Sequence, residues 1–179
     1  GPIYRAHFGQ PRMFDSSEPP PRRKTLRLPS FDYGTPGAYF VTLCVRDRKC
    51  VLARMDGDTT ILNGIGTIVA EEWQAIPAHY PTVRPDEFVV MPNHLHGILW
   101  LEADQEEGTI NRPLLQEVIR AFKARTTLHI HREADPHFAY QRNYHEHVIR
   151  DDEDLYNIRK YIQENPLKWT LDKENPDNP

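Results

Sequence analysis

The chain has 179 residues, 39% hydrophobic and 27% charged, with a formal net charge of −4. That length suits one domain with a real core, and no apolar run reaches the roughly 18 residues of a membrane helix. The acidic balance argues against a protein that coats nucleic acid non-specifically, yet leaves room for a local basic groove.

Gly1-Pro2 reads as the scar of a removed tag. Residues 1–30 read as a flexible, proline-rich arm that carries Arg22, Arg23, Lys24 and Arg27. Such an arm is either a solvated basic linker or a contact to phosphates in a DNA groove. Tyr39 to Arg46 is rich in β formers and predicts a strand. Asp47-Arg48-Lys49 predicts a turn, after which Cys50 to Ala53 is expected to pair back as a hairpin. Cys44 and Cys50 are too few for a disulfide framework and read as reduced thiols of a cytoplasmic protein.

Asn63 is placed to cap a helix running to about Ile76, with Ile65, Ile68, Val69 and Trp73 near helical spacing. Thr82 to Val90 predicts a strand, Pro92-Asn93 a tight break, and His94 to Glu102 the next strand. Ala103 to Gly108 is an acidic loop. A second helix is expected from about Arg112 or Pro113 to Leu128, with Leu114, Val118, Ala121 and Phe122 on its buried side. Tyr144 to Arg150 predicts a short strand. Asp151 to Glu164 predicts a third helix, its opening acids suited to the positive N-terminal end, and Asn165-Pro166 stops it. Hairpins with interspersed helices indicate an α+β fold with a mainly antiparallel sheet flanked by helices.

Three His-x-His triplets stand out: His94/His96, His129/His131 and His145/His147. On a strand, residues two apart share a face, whereas on a helix they diverge by about 200°. That disfavours His129/His131, leaves His145/His147 as a rival, and favours His94/His96, in the run with the strongest strand character. Such a pair either ligates a metal or lines a partly buried face through hydrogen bonds. With no cysteine at zinc-site spacing, two imidazoles plus an oxygen ligand suit a divalent ion that also holds a phosphate.

With these residues in hand, the chain from about Arg23 to Trp169 resembles the REP-associated tyrosine transposases of bacteria, within the single-tyrosine HUH transposases. The resemblance rests on ordered motifs. Arg27-Leu28-Pro29-Ser30-Phe31-Asp32-Tyr33 precedes Gly37-Ala38-Tyr39-Phe40-Val41-Thr42-Leu43-Cys44. Then come Val90-Met91-Pro92-Asn93-His94-Leu95-His96-Gly97 and Val118-Ile119-Arg120-Ala121-Phe122-Lys123. Last is Asn143-Tyr144-His145-Glu146-His147-Val148-Ile149-Arg150, leading to Tyr161-Ile162-Gln163-Glu164-Asn165-Pro166-Leu167-Lys168-Trp169.

The resemblance implies an HUH endonuclease fold over residues 31–169, with 170–179 as a tail. It implies Tyr161 as nucleophile, with His94, His96 and Asn165 holding Mg²⁺ or Mn²⁺. Asn165 lies four residues beyond Tyr161, on the same helical face. Tyr156, on the same helix, and Tyr140 and Tyr144, ahead of it, are the other tyrosines in the region. The implied reaction is cleavage and rejoining of single-stranded DNA through a 5′-phosphotyrosine, at hairpins of palindromic repeats, in the bacterial cytoplasm, by a monomer or homodimer. Arg22, Arg23, Lys24 and Arg27 on the arm, and Arg120, Lys123 and Arg125 on the central helix, are the candidate DNA contacts. The alternatives are a hairpin-binding module without useful cleavage, and a metal- or RNA-binding α+β domain with structural histidines.

Overall fold

In a computed structural model, residues 37–102 and 114–177 are described. They fall within one unit, Asp32–Pro179. The arm residues Arg22, Arg23, Lys24 and Arg27, and the acidic loop from Ala103 to Gly108, lie outside the described residues.

The core is a four-stranded antiparallel sheet in the order β4-β5-β1-β6, made by β1 (Gly37–Cys44), β4 (Val83–Val90), β5 (His94–Leu101) and β6 (His145–Ile149). The fold class is α+β, with helices packed on this sheet. β1 is central: Thr42 sits opposite His96 of β5 on one side and His145 of β6 on the other.

One expected pairing does not form. Cys50 to Ala53 does not fold back on β1, because β5 and β6 occupy both edges of that strand. Instead β2 (Ala53–Asp56) and β3 (Thr59–Leu62) form a separate hairpin. Its two-residue connection starts at Gly57, whose φ of 58° suits a residue without a Cβ.

Helix α1 (Gly64–Gln74) starts where expected, with Asn63 Oδ1 accepting from the Gly66 amide at 3.0 Å. A single turn, α2 (Ile76–His79), follows it. Helix α3 (Leu115–Glu133) runs longer than expected and takes in both His129 and His131. Two of its expected core positions differ: Leu114 precedes the helix and is exposed, and Ala121 is only half-buried. Trp73 of α1 meets Phe122 of α3 edge-on, with ring centroids 5.4 Å apart. Trp73 also lies on the β5 backbone: a Cβ at Gly97 would come within 2.5 Å of its Cζ2. Glycine is therefore required beside His96 for close packing.

The opposite face of the sheet carries Ala38, Phe40 and Ile98. Helix α4 (Asp152–Glu164) lays Leu155, Ile158 and Ile162 on it. Asp151 caps the helix, its Oδ1 accepting from the Asp154 amide at 2.8 Å. After Asn165 a 3-10 segment, Pro166–Leu171, turns the chain across the end of this face.

Candidate metal centre and nucleophile

His94 and His96 lie at the start of β5 on the face that α4 covers, 0% and 4% exposed. Their Nε2 atoms are 3.0 Å apart. The orientation of each ring is set from behind. Asn93 Nδ2 donates to the Arg48 carbonyl at 3.1 Å and the Glu174 carbonyl at 2.6 Å. Its Oδ1 is thus left to accept from His94 Nδ1 at 2.8 Å. This places the His94 proton on Nδ1 and leaves Nε2 as a lone pair aimed into the site. Thr42 Oγ1 holds His96 Nδ1 at 2.8 Å. Two imidazole nitrogens at such a spacing share one proton or one cation, since two bare lone pairs repel. Burial pushes the His94 pKa down to about 4, with Lys173 acting in the same direction against the Asp172 carboxylate. Burial also drives His96 well below its ordinary value. Both shifts favour the neutral imidazole, the form that ligation requires.

The loop that presents the Arg48 carbonyl carries backbone strain. Asp47 and Arg48 take φ values of 59° and 54°, costly for residues with a Cβ. The Arg48 side chain anchors it to the C-terminal segment, with Nε 3.1 Å from Glu174 Oε2 and Nη1 donating to the Lys173 carbonyl at 3.1 Å.

The structure brings Tyr161 to this pair. Its hydroxyl is 3.4 Å from His96 Nε2, and its ring stands edge-on to Phe40, centroids 6.0 Å apart. Phe40 in turn stacks on His96 at 5.4 Å. Tyr161 is 39% exposed, so the site opens to solvent beside the phenol. Burial raises the phenol pKa, and the Asp172 and Glu174 carboxylates add to it, while a hydrogen bond from Asn165 pulls it down. Tyr156, at 65% exposed, points to solvent.

Asn165 is 2% exposed, and its Oδ1 is buried with no hydrogen-bond partner among the described residues. A buried acceptor left in this state fits a bound cation. Sequence reasoning missed a second oxygen donor, Asp172. Its Oδ2 is 3.8 Å from His94 Nε2, and His94, His96 and Asp172 bring ligand atoms within 4.8 Å of one another. Two imidazoles with amide and carboxylate oxygens suit a divalent ion of intermediate hardness. No periodicity marks Asp172; only the turn of the 3-10 segment carries it to the histidines.

Of the rival pairs, His129/His131 turns away from the site, whereas His145 lies near enough to His96 to help lower its pKa. His129 contacts Glu72 and Glu133, and His131 donates to the Phe138 carbonyl. His147 pairs with Asp154 at 2.9 Å, at the start of α4. Of the α3 cations, Lys123 Nζ donates to the Gln141 carbonyl at 2.5 Å and the Arg142 carbonyl at 3.2 Å, and Arg125 Nε pairs with Glu72 at 3.4 Å. Arg120 is exposed, with no side-chain ion pair or hydrogen bond among the described residues. Cys44 and Cys50 are free.

A Haemophilus influenzae protein of uncharacterised function is 36% identical over 166 residues, covering 84% of this chain and 92% of that one. The two belong to one family. A second protein of that organism, provisionally named a REP-associated tyrosine transposase, is 29% identical over 147 residues, covering 76% of this chain and 74% of its own. The chain is thus similar to a REP-associated tyrosine transposase. A solved REP-associated tyrosine transposase bound to a REP hairpin aligns with a TM-score of 0.49 at 22% identity, over 74% of this chain and 68% of that one. No family model matches. No helix among the described residues is long and apolar enough to cross a membrane.

Proposed function

We propose that this REP-associated tyrosine transposase relative cuts and rejoins single-stranded DNA at a palindromic hairpin, with Tyr161 as nucleophile. One observation carries the reading: the Tyr161 hydroxyl, 3.4 Å from His96 Nε2, adjoins two imidazoles whose Nε2 atoms converge at 3.0 Å. His94, His96 and Asn165 would hold Mg²⁺ or Mn²⁺, and Asp172 offers a further oxygen. When bound, the ion withdraws charge from a non-bridging oxygen of the scissile phosphate.

The chain's own residues do the rest. Tyr161 Oη forms a bond to phosphorus as the bond to the 3′-oxygen breaks. The products are a 5′-phosphotyrosine and a 3′-hydroxyl, and the phenolic proton balances the one gained by the departing oxygen. The reverse attack by a 3′-hydroxyl rejoins strands without ATP, because the covalent link conserves the phosphodiester. Free tyrosine is only about 0.1% phenolate at pH 7, and burial raises this phenol further. The proton must therefore leave as the phosphate arrives. Asn165 donates to the phenol and so favours the developing phenolate.

A second reading, hairpin recognition without cleavage, is favoured by the deep burial of both imidazoles. A labelled single-stranded hairpin with short flanks, drawn from repeats beside the gene, separates the two. Cleavage with Mn²⁺ or Mg²⁺, absent in EDTA and in Tyr161→Phe, supports the proposal; binding without cleavage supports the second reading.

A further inference from the structure

The α4 face of the sheet holds a carboxylate that the reaction above does not use. Asp86 sits where the β4–β5 register shifts, between Pro85 and Phe88. Such an irregularity re-aims side chains. The Asp86 side chain is 12% exposed. Its Oδ2 accepts from Trp100 Nε1 at 2.7 Å and from Arg159 Nη2 at 2.6 Å, and its Oδ1 accepts from Arg159 Nε at 3.3 Å. The Glu87 amide gives the carboxylate a fourth hydrogen bond, donated to Oδ1 at 2.8 Å. The guanidinium fork thus grips the carboxylate with both arms, and the indole fixes the carboxylate from below.

Arg159 lies two residues before Tyr161. With about 100° per helical residue, it projects from one flank of the Leu155, Ile158 and Ile162 stripe, and Tyr161 projects from the other. Arg159 reaches β4, while Tyr161 reaches Phe40 of β1 and His96 of β5. Apolar packing alone is non-directional and tolerates some roll of the helix. A bidentate ion pair has one geometry. Rolling α4 by about 20° would carry a tyrosine hydroxyl on the order of 3 Å, enough to break its 3.4 Å approach to His96.

We infer that Asp86 and Arg159, braced by Trp100, form a clamp that sets the roll of α4 and thereby holds Tyr161 in line with the His94/His96 centre. Both are positioning residues: neither touches the histidines, and they act through the helix. The inference rests on Tyr161 being the nucleophile, but its test does not depend on activity alone.

The variants are Asp86→Asn, Arg159→Gln and Arg159→Lys, with the double variant Asp86→Asn/Arg159→Gln. Two readouts are taken on the full chain: Tyr161–His96 ring contacts by nuclear Overhauser effects in labelled protein, and the rate of adduct formation at saturating hairpin alongside hairpin affinity. The expected result is weakened ring contacts and a rate slowed about 10- to 100-fold, with affinity held within about twofold. The double variant should be no slower than the slower single one. Arg159→Lys, which keeps the charge and loses the fork, should fall between wild type and Arg159→Gln. Intact ring contacts in a cooperatively folded Asp86→Asn or Arg159→Lys protein would overturn the clamp, as would a rate loss matched by a loss of affinity. If wild type forms no adduct, the proposed function fails, and the ring contacts alone decide the clamp.

Discussion

At the scale of single residues, the histidine pair is prepared from behind. Asn93 is the hinge of that arrangement, because its two donated hydrogen bonds leave only an acceptor for His94. Hydrogen bonds that fix a ligating imidazole through its far nitrogen are worth about 10- to 100-fold in metal affinity. Asn93→Ala should therefore weaken Mn²⁺ binding by that factor in titration calorimetry, with Thr42→Val acting through His96 in the same direction. Unchanged Mn²⁺ affinity in both would mean the rings do not need these anchors. Asp172→Asn tests the added oxygen: reduced Mn²⁺ affinity makes it a ligand, and unchanged affinity leaves it a neighbour of His94.

At the scale of elements, the fit between strand and helix explains two sensitivities. Gly97→Ala forces a Cβ into the Trp73 ring, an overpacking expected to cost about 1–3 kcal/mol in urea unfolding. Asp86 makes stability depend on acid. Burial alone would raise its pKa, but the hydrogen bonds from Arg159, Trp100 and the Glu87 amide outweigh it, and the carboxyl lies below its ordinary value. A depressed carboxyl contributes stability above its unfolded pKa of about 4, and the contribution fades as pH falls through the folded value. The melting temperature of wild type should thus drop more steeply below pH 4 than that of Asp86→Asn; parallel curves would contradict this account. Arg159 is 42% exposed, so solvent screening reduces the effect. These elements also show what the sequence could carry. The β-branched run around His94, the Asn63 cap, the acidic opening of α4 and the Asn165-Pro166 stop are local signals, and each became the element expected. The β1 pairing was not legible, because a strand's own residues do not say which of several later strands takes its edge. Asp172 and the Asp86–Arg159 pair were hidden for the same reason: they depend on contacts between residues far apart in the chain.

At the scale of the whole molecule, the net charge is negative, so hairpin binding must draw on a local cationic surface. Arg120 is the α3 candidate whose side chain is exposed and uncommitted among the described residues, whereas Lys123 and Arg125 hold the fold together. Arg120→Ala should lower hairpin affinity and shrink the slope of log affinity against log salt by about 1. An unchanged slope removes Arg120 from the interface. The proposed chemistry, however, stands on Tyr161. The most direct measurement is intact-protein mass spectrometry with peptide mapping after incubation with the single-stranded hairpin and Mn²⁺. A protein–DNA adduct mapped to Tyr161 and absent in Tyr161→Phe is expected; an adduct on Tyr156, or none despite tight hairpin binding, would rule out Tyr161 as the nucleophile.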